Sequence, residues 1–112
     1  MEELKKDVMR EILLSFWKVH ILHHAAEGPL VGQWMIQELR RHGYEVSPGT
    51  LYPLLKRMES RGWLRCTFDP KAGTRARRDY FLTKKGRGIL ALVQGQIEEL
   101  YREVMPHREK KQ

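Results

Sequence analysis

Cysteine is nearly missing from these 112 residues, with Cys66 standing alone. No intrachain disulfide can form, which points to a reducing compartment and makes the cytoplasm the expected location. Long apolar runs are missing as well, so no membrane contact through a spanning segment is expected. The opening Met1-Glu2-Glu3 also lacks the charge and apolar core of a signal peptide. No nucleophile stands with a paired base, no glycine loop of the phosphate-cradling kind occurs and no carboxylate pair appears, so an enzyme is not expected. Nor is there an internal repeat, a low-complexity linker or a second domain. The length leaves room for one domain with one modest core.

What is abundant is positive charge, and it is unevenly placed. The chain carries 21 Lys and Arg against 14 Asp and Glu, a net +7. Between Lys56 and Arg87 there are 11 basic and 3 acidic residues, an excess of eight, which leaves the remainder at −1. A localised field argues for a binding face, and nucleic acid, taken as double-stranded DNA on the motifs below, is the leading partner. A membrane surface usually asks for a basic helix with a bulky apolar side free to insert, and none is evident.

In chain order, the pattern from about Glu3 to Ala26 is helical, with Leu4, Val8, Ile12, Leu13, Phe16 and Val19 on adjoining rows. Its apolar residues cover more than one face, which suggests a full core or a subunit interface. Gly28-Pro29 closes it. A second helix is expected from about Gly32 to His42, ended by Gly43. After Tyr44-Glu45-Val46, Ser47 offers an N-cap, Pro48 a first helical residue and Gly62 a left-handed stop. Within that third helix Leu51, Leu54, Leu55 and Met58 form one stripe for burial. Thr50, Pro53, Lys56, Arg57 and Arg61 occupy the other face, and Pro53 deletes one backbone hydrogen bond. Two helices joined by so brief a turn make a helix-turn-helix with the Ser47 helix in the recognition place. The alternative is a core helix with a solvated face.

After Gly62 the period changes to two. Leu64, Cys66 and Phe68 alternate with Arg65 and Thr67, and Arg78, Tyr80 and Leu82 with Asp79 and Phe81, which predicts two half-buried strands. The turn Asp69-Pro70-Lys71-Ala72-Gly73 joins them, with Lys71, Arg75 and Arg77 crowding the tip. Thr83 caps a last helix reaching about Val104, along which Ile89, Val93, Ile97, Leu100 and Val104 form a narrow seam. Because the compact core is complete before it, that seam is expected to face a second copy of the chain, around Leu13, Phe16 and Trp17. Gly86 and Gly88 weaken its first turn. Gly95 costs about 1 kcal/mol relative to Ala unless backbones approach there.

The expected fold class is α+β, mostly α: a winged helix-turn-helix with a two-stranded wing and a long C-terminal helix. Glu27-Gly28-Pro29-Leu30, Gln37-Glu38-Leu39, Ser47 to Leu55, Gly62-Trp63-Leu64 and Tyr80 to Arg87 closely resemble the PadR family of bacterial transcriptional regulators, and the likeness covers nearly the whole chain. Its length resembles the short subfamily with a single C-terminal dimerisation helix. The resemblance implies a winged-helix unit over 1–82, a dimerisation helix over 83–106 and a tail over 107–112. It implies a homodimer, expected to be a repressor, on a near-palindromic operator. The Ser47 to Arg61 helix would enter the major groove and the Lys71 to Arg77 wing would lie on the backbone or minor groove. Thr50, Tyr52 and Lys56 match DNA-contacting positions of the family, and with Ser47, Pro53, Arg57, Lys71, Arg75 and Arg77 they make the expected DNA face. One departure matters: Val31-Gly32-Gln33 stands where many members read His-Gly-Tyr, so that tyrosine's contact does not transfer. Several members bind small aromatic or cationic effectors between subunits, which the motifs here do not specify.

His20, His23 and His24, at i, i+3 and i+4, place two imidazoles within reach of one metal ion. No carboxylate or second cysteine follows at ligand spacing, so neither metal nor cofactor is expected. Cys66 reads as a small buried hydrophobe, and Trp17 and Trp34 as core or interface ahead of a ligand site. The rival to a sequence-specific regulator is a winged helix used for protein contacts or as a nonspecific architectural coat on DNA.

Overall fold

The computed structural model describes residues 1–106, apart from the side chains of Thr74 and Arg75. The tail expected from His107 to Gln112 lies outside the described residues. Among the described residues, five α-helices and three short strands run in the order α1 (Glu2–Val8), α2 (Leu14–Glu27), β1 (Leu30–Val31), α3 (Gly32–Arg41), α4 (Pro48–Ser60), β2 (Leu64–Thr67), β3 (Asp79–Leu82) and α5 (Lys84–Val104). One π-helical stretch, Met9–Leu13, joins α1 to α2, so the expected single first helix carries a local widening near its middle.

The core gathers one face of every main helix. Trp17, Ile21, Leu22 and Ala25 come from α2, Met35, Ile36 and Leu39 from α3, and Leu51, Leu54, Leu55 and Met58 from α4. The α4 stripe is the one that its i, i+3, i+4, i+7 spacing predicts, and each of its residues is at least 99% buried. Full burial of such side chains stabilises by about 1.5–3 kcal/mol each, which locks the orientation of α4 and thereby of its opposite face. Pro53 does not break the helix, which runs unbroken over Pro48–Ser60. Gly62, at φ 80°, then reverses the chain so that the Trp63 amide donates to the Met58 carbonyl at 3.0 Å.

Three expectations need correction. The two strands of the wing pair as expected, Leu64 with Leu82 and Cys66 with Tyr80, but a third strand with no signal in the sequence joins their sheet, Leu30 pairing with Tyr80 and Val31 with Asp79 on the free edge of β3. Phe68 does not continue the inward row of Leu64 but is 45% exposed, where the Arg78 guanidinium lies 4.0 Å from its ring centre. Ser47 holds the N-cap position without a side-chain hydrogen bond to the helix backbone. Its hydroxyl instead faces the Thr50 hydroxyl at 3.4 Å.

Thr83 caps as expected, accepting from the Gly86 amide at 2.9 Å. Its hydroxyl also lies within hydrogen-bond distance of the Gly62 and Trp63 carbonyls. Gly86, far from merely weakening α5, is required there, because a Cβ would collide with the Trp63 carbonyl and the Leu82 side chain. The start of α5 is thus clamped to the end of α4.

Candidate nucleic-acid interface

The buried stripe of α4 turns the remaining residues outward. Ser47, Tyr52, Pro53, Lys56 and Arg57 are exposed and Thr50 is half-exposed. Lys56 and Arg57 have no carboxylate partner among the described residues, so their charge is available to a ligand. Near the N-terminal half of α4, a cleft lined by Gly32, Gln33, Tyr52, Arg77 and Arg78 runs to the base of the wing. It brings Tyr52 and Arg77 together across 25 residues of sequence, and it adds Gln33, which sequence reasoning had set aside.

The wing between β2 and β3 carries a short 3-10 stretch, Pro70–Arg75, opened by the Asp69 carboxylate accepting from the Lys71 amide at 2.9 Å. Lys71 is exposed. Arg77 is exposed too, but its Nε donates to Asp79 Oδ1 at 2.9 Å, a pairing that aims the guanidinium along the strand. The side chain expected at Arg75 lies outside the described residues. The Arg65 guanidinium lies over the Phe81 ring, 4.6 Å from its centre, as that of Arg78 does over Phe68, so each cation is held by an aromatic neighbour.

Behind this face, α2 and α3 are joined by a polar cluster. Glu38 is buried among basic side chains: Arg41 grips it with two bonds of 3.1 and 2.8 Å, His42 Nε2 stands 3.0 Å away and His24 Nε2 3.4 Å. The bonds from Arg41 hold the Glu38 carboxyl down at about 2, against an opposing push from its burial. His20, stacked at 4.9 Å on His42, is lowered by burial and then by the neighbouring histidines.

Expected interface residues divide. Phe16, Ile97, Leu100 and Val104 are exposed, with exposures of 44–61%, and Leu13, Ile89 and Val93 are half-buried. Trp17 is corrected: at 0% exposure it fills the chain's own core and meets Tyr44 edge to face at 6.1 Å. It can therefore line neither an interface nor a ligand site. The reasoning against metal ligands is corrected as well, since Glu27 stands at i+4 from His23 and i+3 from His24, and the donor atoms of all three lie within 4.8 Å of one another. No helix among the described residues is long and apolar enough to cross a membrane.

A helix-turn-helix presenting a cationic helix face beside an antiparallel wing defines a winged-helix DNA-binding protein. The chain belongs to the PadR-like family of transcriptional regulators, whose model matches residues 21–92. That family consists of non-enzymatic regulators that bind DNA. The chain is 50% identical over 97 residues to the transcriptional regulator Rv3488 of Mycobacterium tuberculosis, covering 87% of this chain and 90% of that one. Among solved structures it resembles a Streptococcus transcriptional regulator at 26% identity and TM-score 0.72, over 84% of this chain and 93% of that one. It also resembles a PadR-like transcription factor from Bacteroides fragilis at 29% identity and TM-score 0.70, over 88% and 93%.

Proposed function

We propose that the protein is a homodimeric repressor that acts in the cytoplasm on a near-palindromic operator. In this reading α4 enters the major groove with Ser47, Thr50, Tyr52, Pro53, Lys56 and Arg57, and the wing lays Lys71, Arg75 and Arg77 on the backbone or minor groove. Residues 1–82 form the DNA-binding unit and 83–106 the dimerisation helix. The observation that carries it is the division of α5. Within the chain only Gly86 and Leu90 of that helix are buried, while Leu92, Ile97, Leu100, Tyr101 and Val104 remain exposed. A soluble monomer seldom leaves such a stripe in water, and two-fold pairing repeats the major-groove contact about one helical turn, roughly 34 Å, along the duplex. Gly95 supports the same reading, because nothing among the described residues lies within 4 Å of a Cβ placed there, which leaves room for a partner backbone.

A groove between α2 and α5, lined by Phe16, Val19, His20, Tyr44, Leu90 and Ile97, offers an aromatic or cationic effector a place beside that interface. Footprinting on the DNA upstream of the protein's own gene tests the proposal. A discrete two-fold footprint, with expression of a linked reporter falling when the protein is present, is expected. Protection without register would instead mark an architectural coat, and no protection a protein-interaction module.

A further inference from the structure

The four described histidines, His20, His23, His24 and His42, are gathered between the end of α2 and the end of α3, and the DNA-binding reading uses none of them. Three groups at the α2 end are arranged as ligands. His23 Nε2 lies 3.3 Å from Glu27 Oε2, and His24 Nδ1 lies 3.3 Å from Glu27 Oε1. Two donors each about 2.0–2.1 Å from a tetrahedral zinc ion are themselves about 3.3 Å apart, and each imidazole already stands at that distance from its own oxygen of the Glu27 carboxylate, so an ion shared by both rings is met by that carboxylate through its two oxygens. We propose that His23, His24 and Glu27 form a binding site for a zinc-class divalent cation, with Glu38 as the carboxylate that positions His24.

The second nitrogen of His24 supplies the independent support. Its Nε2 stands 3.4 Å from Glu38 Oε2, so the tautomer that carries its proton on Nε2 has a carboxylate to receive it and turns the Nδ1 lone pair toward Glu27, where an ion would take it. A histidine ligand whose far nitrogen faces a carboxylate is the usual outer arrangement of protein zinc sites, because it fixes the tautomer and raises the basicity of the ring. Trp34 meets the His24 ring edge-on at 5.0 Å and restricts its rotation. The donor set also selects the ion: two imidazoles and one carboxylate suit Zn2+, Ni2+ or Cu2+ and hold Mg2+ and Ca2+ poorly. A cleft lined by His24, Glu27, Gly28 and Trp34 opens beside the three donors and admits a water molecule as fourth ligand. Because Glu38 belongs to α3, the bound ion would tie the end of α2 to the first helix of the helix-turn-helix.

Calorimetric titration of Zn2+ into the full chain near neutral pH is the test. One ion per chain is expected. His23→Ala and Glu27→Ala should each lower affinity at least tenfold, and Glu38→Gln about ten- to hundredfold. His23 and Glu27 are more than half exposed, so their variants should melt like the parent protein, whereas Glu38→Gln gives up the ion pair with Arg41 and is titrated well below its own, lower melting temperature. With Co2+ in place of Zn2+, the visible bands should be those of a nitrogen and oxygen site without thiolate charge transfer. Unchanged affinity in both His23→Ala and Glu27→Ala, a thiolate band from Cys66, or no saturable binding at all would overturn the proposal.

Discussion

The ring of Tyr52 lies over Gly32 so closely that a Cβ on Gly32 would stand 2.5 Å from Tyr52 Cε1. The glycine that opens α3 therefore sets the position of an exposed aromatic residue on α4. Gly32→Ala should leave the fold intact, since Tyr52 is 37% exposed and free to swing outward. If Tyr52 reads DNA, the displaced ring should weaken operator binding as much as Tyr52→Ala does. Combining the two changes should then add little, as expected for residues in one contact. Anisotropy titrations of the three variants measure this, and wild-type affinity in Gly32→Ala would separate the Tyr52 position from recognition.

Lys56 sits on the outward face of α4 without a carboxylate partner among the described residues. A base-edge contact from such a cation is worth about 1–3 kcal/mol of discrimination. Lys56→Ala should therefore relax preference at one operator position while leaving binding to scrambled DNA nearly unchanged. Equal losses on both DNAs would make it a phosphate contact.

Arg77 behaves differently, because Asp79 holds it at the wing base. Arg77→Ala, like Arg75→Ala, should weaken specific and random DNA alike and lower the salt slope by roughly one unit per lost phosphate contact. An unchanged slope with both residues replaced would take the wing off the DNA.

Much of this face was legible because α4 advertises itself: its buried stripe, its terminal glycine and its cationic side are all local patterns. What stayed hidden was what depends on the third dimension. Leu30–Val31 is too short to show a strand period, so β1 is visible only once it pairs with β3. Trp17 and Phe16 are adjacent apolar residues of one helix, and only the packing reveals that the first is core and the second surface. Gly86 looked like a helix-weakening residue until the Trp63 carbonyl took the space of its side chain. Glu27 follows His23 by four residues, but only the folded helix shows that its carboxylate reaches both His23 and His24.

The buried carboxylate gives a pH dependence of definite sign. Glu38 is lowered from 4.5 to about 2 in the folded protein, chiefly by Arg41. Its contribution to stability is therefore complete above about 4.5 and is lost as pH falls from there through about 2. Melting temperatures of the parent protein and Glu38→Gln, taken over that range in chelator-treated buffer, should converge toward the acid end. A constant gap would mean that the charge on Glu38 adds nothing to the fold.

The proposed assembly rests on the outer stripe of α5. Val93 is half-buried within the chain, between the core residue Leu90 and the exposed Ile97, so it marks the line where the chain's own packing ends. Beyond it Ile97, Leu100 and Val104 continue the stripe into solvent, and on the other helix Phe16 is exposed beside the groove that α2 and α5 share. Symmetry would let each α5 cover the other chain's Leu13 and Phe16, so that one contact is made twice. An aspartate at position 93 would then sit unpaired in an apolar seam, which costs several kcal/mol, of order 2–7 for an uncompensated polar group and more for a charge. Val93→Asp should sediment as a monomer at micromolar concentration and lose the operator although Lys56, Arg75 and Arg77 are intact. Because Val93 also touches its own chain's packing, the exposed Leu100→Asp serves as the cleaner companion: it should keep the parent's melting temperature and still dissociate. A parent protein that sediments as a monomer, or a Leu100→Asp dimer that still protects the operator, would remove α5 from the interface.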